Sequence, residues 1–286
     1  MASTLDGLLE LLDLETLEVD LYRGRTPETW HQRVFGGQVA GQALVAAGRT
    51  VPADRQVHSL HAYFLRPGDP SVPIVYQVDP IRDGRSFTTR RVAARQHGDP
   101  IFHLSASFQV VEEGFEHEVA MPAVPAPETL ASVHETSSEA RSRMSELLQS
   151  FRAIDLRHAP TPTDDGTDRV LPGHRSIWVR VVEPMPDDPL LHVCVLAYLS
   201  DLTLLGAALL PHGLVEIPSD EVQTASLDHA MWFHRPFRAD DWLLYEQWSP
   251  SASGARGLAS GRIFAREGGL AVSVVQEGLI RPRRSR

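Results

Sequence analysis

The sequence predicts an α+β fold in which one unit, a helix followed by an antiparallel sheet, occurs twice in tandem. Three observations carry that prediction. Gly36–Val51 is a small-residue, apolar stretch of helical length, and four stretches with strand character follow it. The block Ser59-Leu60-His61-Ala62-Tyr63-Phe64-Leu65-Arg66-Pro67 returns, after a short insertion, as Ser226-Leu227-Asp228-His229-Ala230-Met231-Trp232-Phe233-His234-Arg235-Pro236. The order of elements around the two blocks is the same, and each copy ends in a strand carrying a glutamine, Gln109 or Gln276.

Residues 1–22 read as a helix and a short strand. The small residues of Gly36–Val51 suit close packing against a sheet, although glycine weakens a helix. The strands of the first unit are Val57–Arg66, Ile74–Val78, Ser86–Gln96 and Ile101–Val111. Alternation puts Leu60, Ala62 and Phe64 on one apolar face, and Phe102, Leu104, Ala106 and Phe108 on another. Pro67-Gly68, Arg82-Asp83-Gly84 and His97-Gly98-Asp99-Pro100 supply the turns. From residue 112 the chain becomes rich in Glu, Asp, Pro and Ser, and 116–172 reads as a connector with one helix around Ser137–Phe151. It divides the chain into units at 1–115 and 173–286. The second unit holds a strand at Ser176–Val182, an apolar helix at Leu190–Leu210, and strands at Val222–Phe233, Trp242–Gln247, Gly257–Arg266 and Leu270–Arg281.

Composition removes several functions. A net charge of -10 argues against a general nucleic-acid binder, which needs a clustered basic surface. All 27 basic residues are Arg, so no Schiff-base or P-loop lysine is available, and anions fall to Arg, His or backbone N–H groups. The single Cys194 excludes an intramolecular disulfide and a multi-cysteine metal site. With an acidic, amphipathic start in place of a signal peptide, it leads us to expect a cytoplasmic protein. Leu190–Leu210 approaches the length of a membrane span, but Asp201 sits at its centre and no basic cluster flanks it. A buried helix, with no membrane insertion, is expected. There is no G-x-S-x-G elbow, no G-x-G-x-x-G after a strand and no H-E-x-x-H, so neither a metal nor a dinucleotide is expected.

Three residues stand out as candidates for chemistry. Asp201 is a carboxylate in a very apolar helix; it is either solvent-facing or functional. Strand alternation puts Thr224, Ser226 and Asp228 on one face and Leu227, His229, Met231 and Phe233 on the other, so Ser226 lies on a polar face. Gln276 follows two valines in Val274-Val275-Gln276-Glu277-Gly278.

Several blocks together resemble a known family. Val34-Phe35-Gly36-Gly37-Gln38-Val39-Ala40-Gly41-Gln42-Ala43-Leu44, Val57–Asp69, Arg82–Phe87 and Arg90–Ala94 are similar to the type II acyl-CoA thioesterases. Leu227–Phe237 and Val275–Gly278 are similar too, so the resemblance spans nearly the whole chain. It implies a double hotdog fold, two helix-wrapped antiparallel sheets forming a pseudo-dimer. It also implies a site in which Asp201, Gln276 and Ser226 hold and activate the hydrolytic water, with Ser226 standing where the family often has Thr. His58 is a weaker carry-over. Gly36 and Gly37, at a helix N-terminus, would offer amides to the substrate carbonyl. Arg85, Arg90, Arg91 and Arg256 are the candidates for CoA phosphates.

The implied activity is hydrolysis of medium- to long-chain fatty acyl-CoA, without cofactor, in a homodimer or homotetramer. Gly36 or its neighbours align with Asp201 and are not acidic, so one active constellation per chain is expected. Two other readings are a hotdog hydratase or dehydratase, which would pair an Asp with a His, and a non-catalytic acyl-CoA sensor.

Overall fold

Alternating apolar residues at Leu60, Ala62, Phe102, Leu104, Val272 and Val274 commit these stretches to strands buried on one face, and the strands join into one sheet. The computed structural model describes residues 3–26, 33–136, 151–160, 173–214 and 221–283. In chain order the strands are β1 (Glu15–Glu18), β2 (Leu21–Gly24), β3 (Arg55–Phe64), β4 (Ile74–Asp83), β5 (Phe87–Gln96) and β6 (Asp99–Val110). The rest are β7 (Ile154–Ala159), β8 (Arg175–Val181), β9 (Val222–Ser226), β10 (Asp228–Phe233), β11 (Leu243–Ser253), β12 (Arg256–Ala265) and β13 (Leu270–Pro282).

The sheet runs β1-β2-β4-β5-β6-β3-β10-β13-β12-β11-β8-β7, with β9 paired to β13. The second six strands repeat the first six in reverse, and β3 meets β10 antiparallel with His61 opposite Ala230. The repeated Arg-Pro has a structural reason. Arg66 donates to the carbonyl of Pro100 and Arg235 to that of Leu270, each pinning the chain beyond its strand to the start of the long strand beside it in the sheet, β6 or β13.

Helix α1 (Leu5–Leu12) is capped by Thr4, whose side chain accepts from the Gly7 N–H. Helix α2 (Gly36–Gly48) and helix α3 (Pro189–Ser200) lie inside the curved sheet and pack on each other antiparallel. The glycines of α2, expected to pack on a sheet, face α3 instead, and of the four only Gly36 is also close to a strand residue, Phe64. A β-carbon on Gly41 would stand 3.1 Å from the Cys194 carbonyl, and one on Gly37 would collide with that of Tyr198. Leu44, Leu60, Leu104, Cys194, Met231 and Val274 fill the core between helices and sheet. Each fully buried leucine contributes about 2 kcal/mol of transfer free energy.

One expectation changes here. The stretch read as connector contributes β7, an edge strand on β8. Its first part lies on the outer face of the second unit: Met121, Val124 and Leu130 cover Trp178, Trp242 and Phe264, and Trp178 Nε1 donates to the Pro125 carbonyl. A six-residue strand among prolines and acids leaves little periodic signal. The helix read around Ser137–Phe151 lies outside the described residues, except for its last one. The apolar stretch Pro189–His212 is long enough to cross a bilayer by length and composition, yet most of it is buried within the fold.

Candidate active site

Asp188 caps α3, accepting from the Leu190 and Leu191 N–H groups, and Pro189 starts the first turn. The helix ends earlier than its composition suggests. Asp201 is the C-cap residue, Leu202 N–H turns back to the Leu199 carbonyl, and short 3-10 turns follow at Leu204–Ala208 and Leu210–His212. The predicted Leu190–Leu210 helix is therefore broken at its acidic residue. Arg175 secures the break, donating to the Thr203 carbonyl and to Gln247 Oε1 at 2.7 Å, while Gln247 donates to Thr203 Oγ1 at 2.6 Å. Burial lowers the Arg175 pKa to about 10.

Asp201, Ser226 and Gln276 come together at this break. Gln276 Nε2 donates to Asp201 Oδ1 at 2.6 Å and to Ser226 Oγ at 2.9 Å. Ser226 Oγ donates to the same Oδ1 at 3.3 Å. Gln276 is 0% exposed and its Oε1 has no hydrogen-bond partner among the described residues, so the amide is oriented by what Nε2 holds. The other carboxylate oxygen, Oδ2, occupies the space beside Gly36 that a β-carbon would need, 2.6 Å from its position. There α2 begins at Phe35 without a side-chain cap, leaving first-turn N–H groups that an α-helix cannot satisfy internally.

A bulge sets the aim of Ser226. Ser226 stands opposite Gly278, but Ala230 stands opposite Val275. One extra residue has entered the strand between them, so Ser226 and His229, three apart, both point inward. The alternation that assigned Ser226 and His229 to opposite faces missed it. His229 is fully buried, with Nε2 2.8 Å from Ser200 Oγ, and Tyr245 Oη donates to the Ser200 carbonyl. Burial pushes the His229 pKa down, against the opposing pull of Asp201 and Asp228.

The other predicted residues fare differently. Gly36 and Gly37 are at the site, but Gly36 faces Asp201 from the opposite helix and is not its counterpart. Both Asp201 and Arg49 are helix C-caps, so Arg49 takes the place of Asp201 in the first unit. Register makes Ala106, not Gln109, the counterpart of Gln276, and Val57 that of Ser226.

His58 is not brought to Asp201. It is the extra residue of the first unit's own bulge, bonds Ser107, and lies six residues along β3 from Phe64, about 20 Å away. Arg90 is 3% exposed and bound to Thr50 and Asp83 near the far end of α2, roughly 20 Å from Gly36. Arg91 pairs with Asp79 on the outer face, and exposed Arg85 lies by the β4–β5 turn at that same far end. Arg256 is at the right end of the sheet, paired with Glu277 at 2.9 Å beside Gln276. Sequence reasoning missed Arg175, Gln247, Ser200, Asp228 and His229. Only the polar pair Asp228-His229 inside an apolar strand gave a signal.

A profile of the family described as "Acyl-CoA thioesterase" matches residues 154–279, and one described as "Acyl-CoA thioesterase N-terminal domain" matches 26–109. The chain is 45% identical over 287 residues to acyl-coenzyme A thioesterase 8 of Mus musculus, covering 95% of this chain and 88% of that one. It is 48% identical to the crystal structure of acyl-CoA thioesterase II TesB2 from Mycobacterium marinum, with a TM-score of 0.81 over 96% of this chain and 98% of that one. At 21% identity, a protein of unknown function with a hot dog fold from Alicyclobacillus acidocaldarius shares the fold, with a TM-score of 0.76 over 96% and 98%.

Proposed function

The chain belongs to the acyl-CoA thioesterase family, and from that premise we propose that Asp201, Ser226 and Gln276 direct a water onto the thioester carbonyl of a medium- to long-chain fatty acyl-CoA. The protein is a double hotdog thioester hydrolase. One observation carries the proposed mechanism: Asp201 Oδ1 is taken up by Gln276 and Ser226, while Oδ2 faces the uncapped start of α2. A water held at Oδ2 and a carbonyl oxygen at the first-turn amides would lie side by side.

The steps then balance. The water oxygen bonds to the carbonyl carbon and its proton passes to Asp201. The Gly36 and Gly37 region of α2 stabilises the oxyanion through backbone N–H groups and the helix dipole. Collapse breaks the C–S bond, and the CoA thiolate takes up the proton held by Asp201, which returns to its carboxylate form. Gln276 and Ser226 fix the carboxylate so that little reorganisation is needed during reaction.

Three further features fit this reading. The first unit has Arg49, Val57 and Ala106 in the matching places, which supports one active constellation per chain. Among the described residues no histidine bonds Asp201; His229 bonds Ser200, which disfavours a hydratase arrangement. Arg256 is the favoured CoA phosphate ligand of the four candidate arginines, because it shares an end of the sheet with Asp201. A cytoplasmic location is in keeping with its one buried, free cysteine, and a homodimer or homotetramer is proposed from the family resemblance alone.

The test is thiol release from decanoyl-CoA and palmitoyl-CoA. Wild type should release CoA, and Asp201→Asn should lose activity by about 10³-fold at similar thermal stability. No release by wild type, with CoA esters still bound, would favour a sensor. An unimpaired Asp201→Asn would remove Asp201 from the mechanism.

A further inference from the structure

We propose that Asp228 is a positioning residue, whose carboxylate locks the bulge that aims Ser226 and Gln276 at Asp201. The proposal rests on the hydrolytic reading above. Between Ser226 opposite Gly278 and Ala230 opposite Val275, the β9–β10 side has three residues and β13 has two, Gln276 and Glu277. Leu227 uses its backbone in both directions, donating to the Glu277 carbonyl and accepting from the Phe64 N–H. The extra residue disturbs the ladder at this point and takes a backbone acceptor away from the Glu277 N–H. Asp228 Oδ1 supplies one instead, at 2.6 Å.

The position of this bond gives it a function. It ties the residue two beyond Ser226 to the residue just after Gln276. The two strands that carry the hydroxyl and the amide are thereby fixed in one offset. A slip of either would move Gln276 Nε2 off Ser226 Oγ and Asp201 Oδ1, where the three now meet at 2.6 and 2.9 Å.

The first unit serves as an internal comparison. It has the same bulge, with Val57 opposite Phe108 and Ser59 opposite Ser107. There Ser59 stands in the place of Asp228, and the inward positions are Val57 and Ala106, which have no polar atom to aim. The carboxylate occurs in the unit that has something to position. Asp228 donates nothing to substrate in this account and acts through Gln276 and Ser226.

The experiment compares wild type with Asp228→Asn, Asp228→Ala and Asp228→Ser, with Asp201→Asn as reference. Asparagine keeps an acceptor oxygen at the same reach, whereas alanine does not. Serine is the residue with which the first unit folds, so it replaces alanine if alanine does not yield folded protein. We expect kcat to fall at least tenfold in the alanine or serine variant, with KM within threefold of wild type. Asparagine should restore kcat to within threefold. Hydrogen exchange of the peptide spanning Val274–Leu279 should speed up in the alanine or serine variant and not in the asparagine one. Wild-type kcat without the acceptor overturns the proposal. So does an asparagine variant as impaired as alanine, which would mean that charge matters and not the bond. A wild type without hydrolase activity would instead overturn the reading of the site, whatever the exchange pattern.

Discussion

A β-carbon on Gly36 would lie 2.6 Å from Oδ2 of Asp201 and 2.8 Å from the Phe64 ring. The helix start of one unit and the helix end of the other are thus in contact at the carboxylate, with no room for a methyl group. Gly36→Ala should cut kcat by about 10²-fold through displacement of Asp201. Its effect on stability should be small, because alanine favours the helix by up to about 1 kcal/mol and offsets part of the clash. Steady-state kinetics beside a melting curve would check it; a fully active alanine variant would mean that the carboxylate can move freely.

Gln276→Glu places a second carboxyl where Nε2 now donates to Asp201 at 2.6 Å. Two carboxylates at that distance cannot both ionise, so the pair shares a proton and one apparent pKa rises. If ionised Asp201 is needed, the acidic limb of kcat/KM against pH moves upward by about one unit or more. An unmoved limb would separate Gln276 from Asp201 in function.

His229 titrates below its ordinary value because burial penalises the imidazolium. Below pH of about 6.5 the unfolded chain therefore binds more protons than the folded one. The stability carried by neutral His229 is present in full above that pH and is lost as pH falls toward the folded value. His58, His103, His158, His192 and His234 are shifted the same way and add to the slope. Between pH 7.5 and 5.5 the melting temperature should fall for wild type, and fall less for His229→Gln. Equal falls would show that His229 does not contribute.

Arg90 and Arg256 should separate cleanly. Arg90→Ala removes buried bonds to Thr50 and Asp83 and should cost about 2 to 3 kcal/mol with KM unchanged. Arg256→Ala loses only an exposed pair with Glu277 and should leave stability alone. Its KM for acyl-CoA should rise about tenfold, as expected for one lost charge-assisted bond. The opposite pattern would reverse the assignment.

Much of the fold is legible in the sequence. The duplicated order of helix and strands predicts the two halves of the sheet, because side-chain alternation is a local property. The resemblance points to Asp201, Ser226 and Gln276, and they do meet. The bulge at Leu227 is not legible, since one extra residue leaves composition unchanged and reverses only the facing of the residues beyond it. Nor is the end of α3 at Asp201: the apolar run continues to Leu210, and what stops the helix is Arg175 and Gln247, distant in sequence. His58 is misplaced because a short match between repeats says nothing about which end of a strand meets the other unit.

Helices α2 and α3, packed antiparallel, have two ends where a start meets a finish. At one, Gly36 meets Asp201; at the other, Arg49 follows α2 near Asp188, which opens α3. Two identical chains would carry the same chemistry at both. Joining them in one polypeptide has let the ends diverge, since a substitution is no longer copied into both halves. The second end has become an anchor, with Arg49 tied to Asp13 and the Leu14 carbonyl beside α1. The molecule is an asymmetric machine inside a symmetric frame: one seam sets Gly36 of the first unit against Asp201 of the second, and at the other Arg49 is bonded within its own unit.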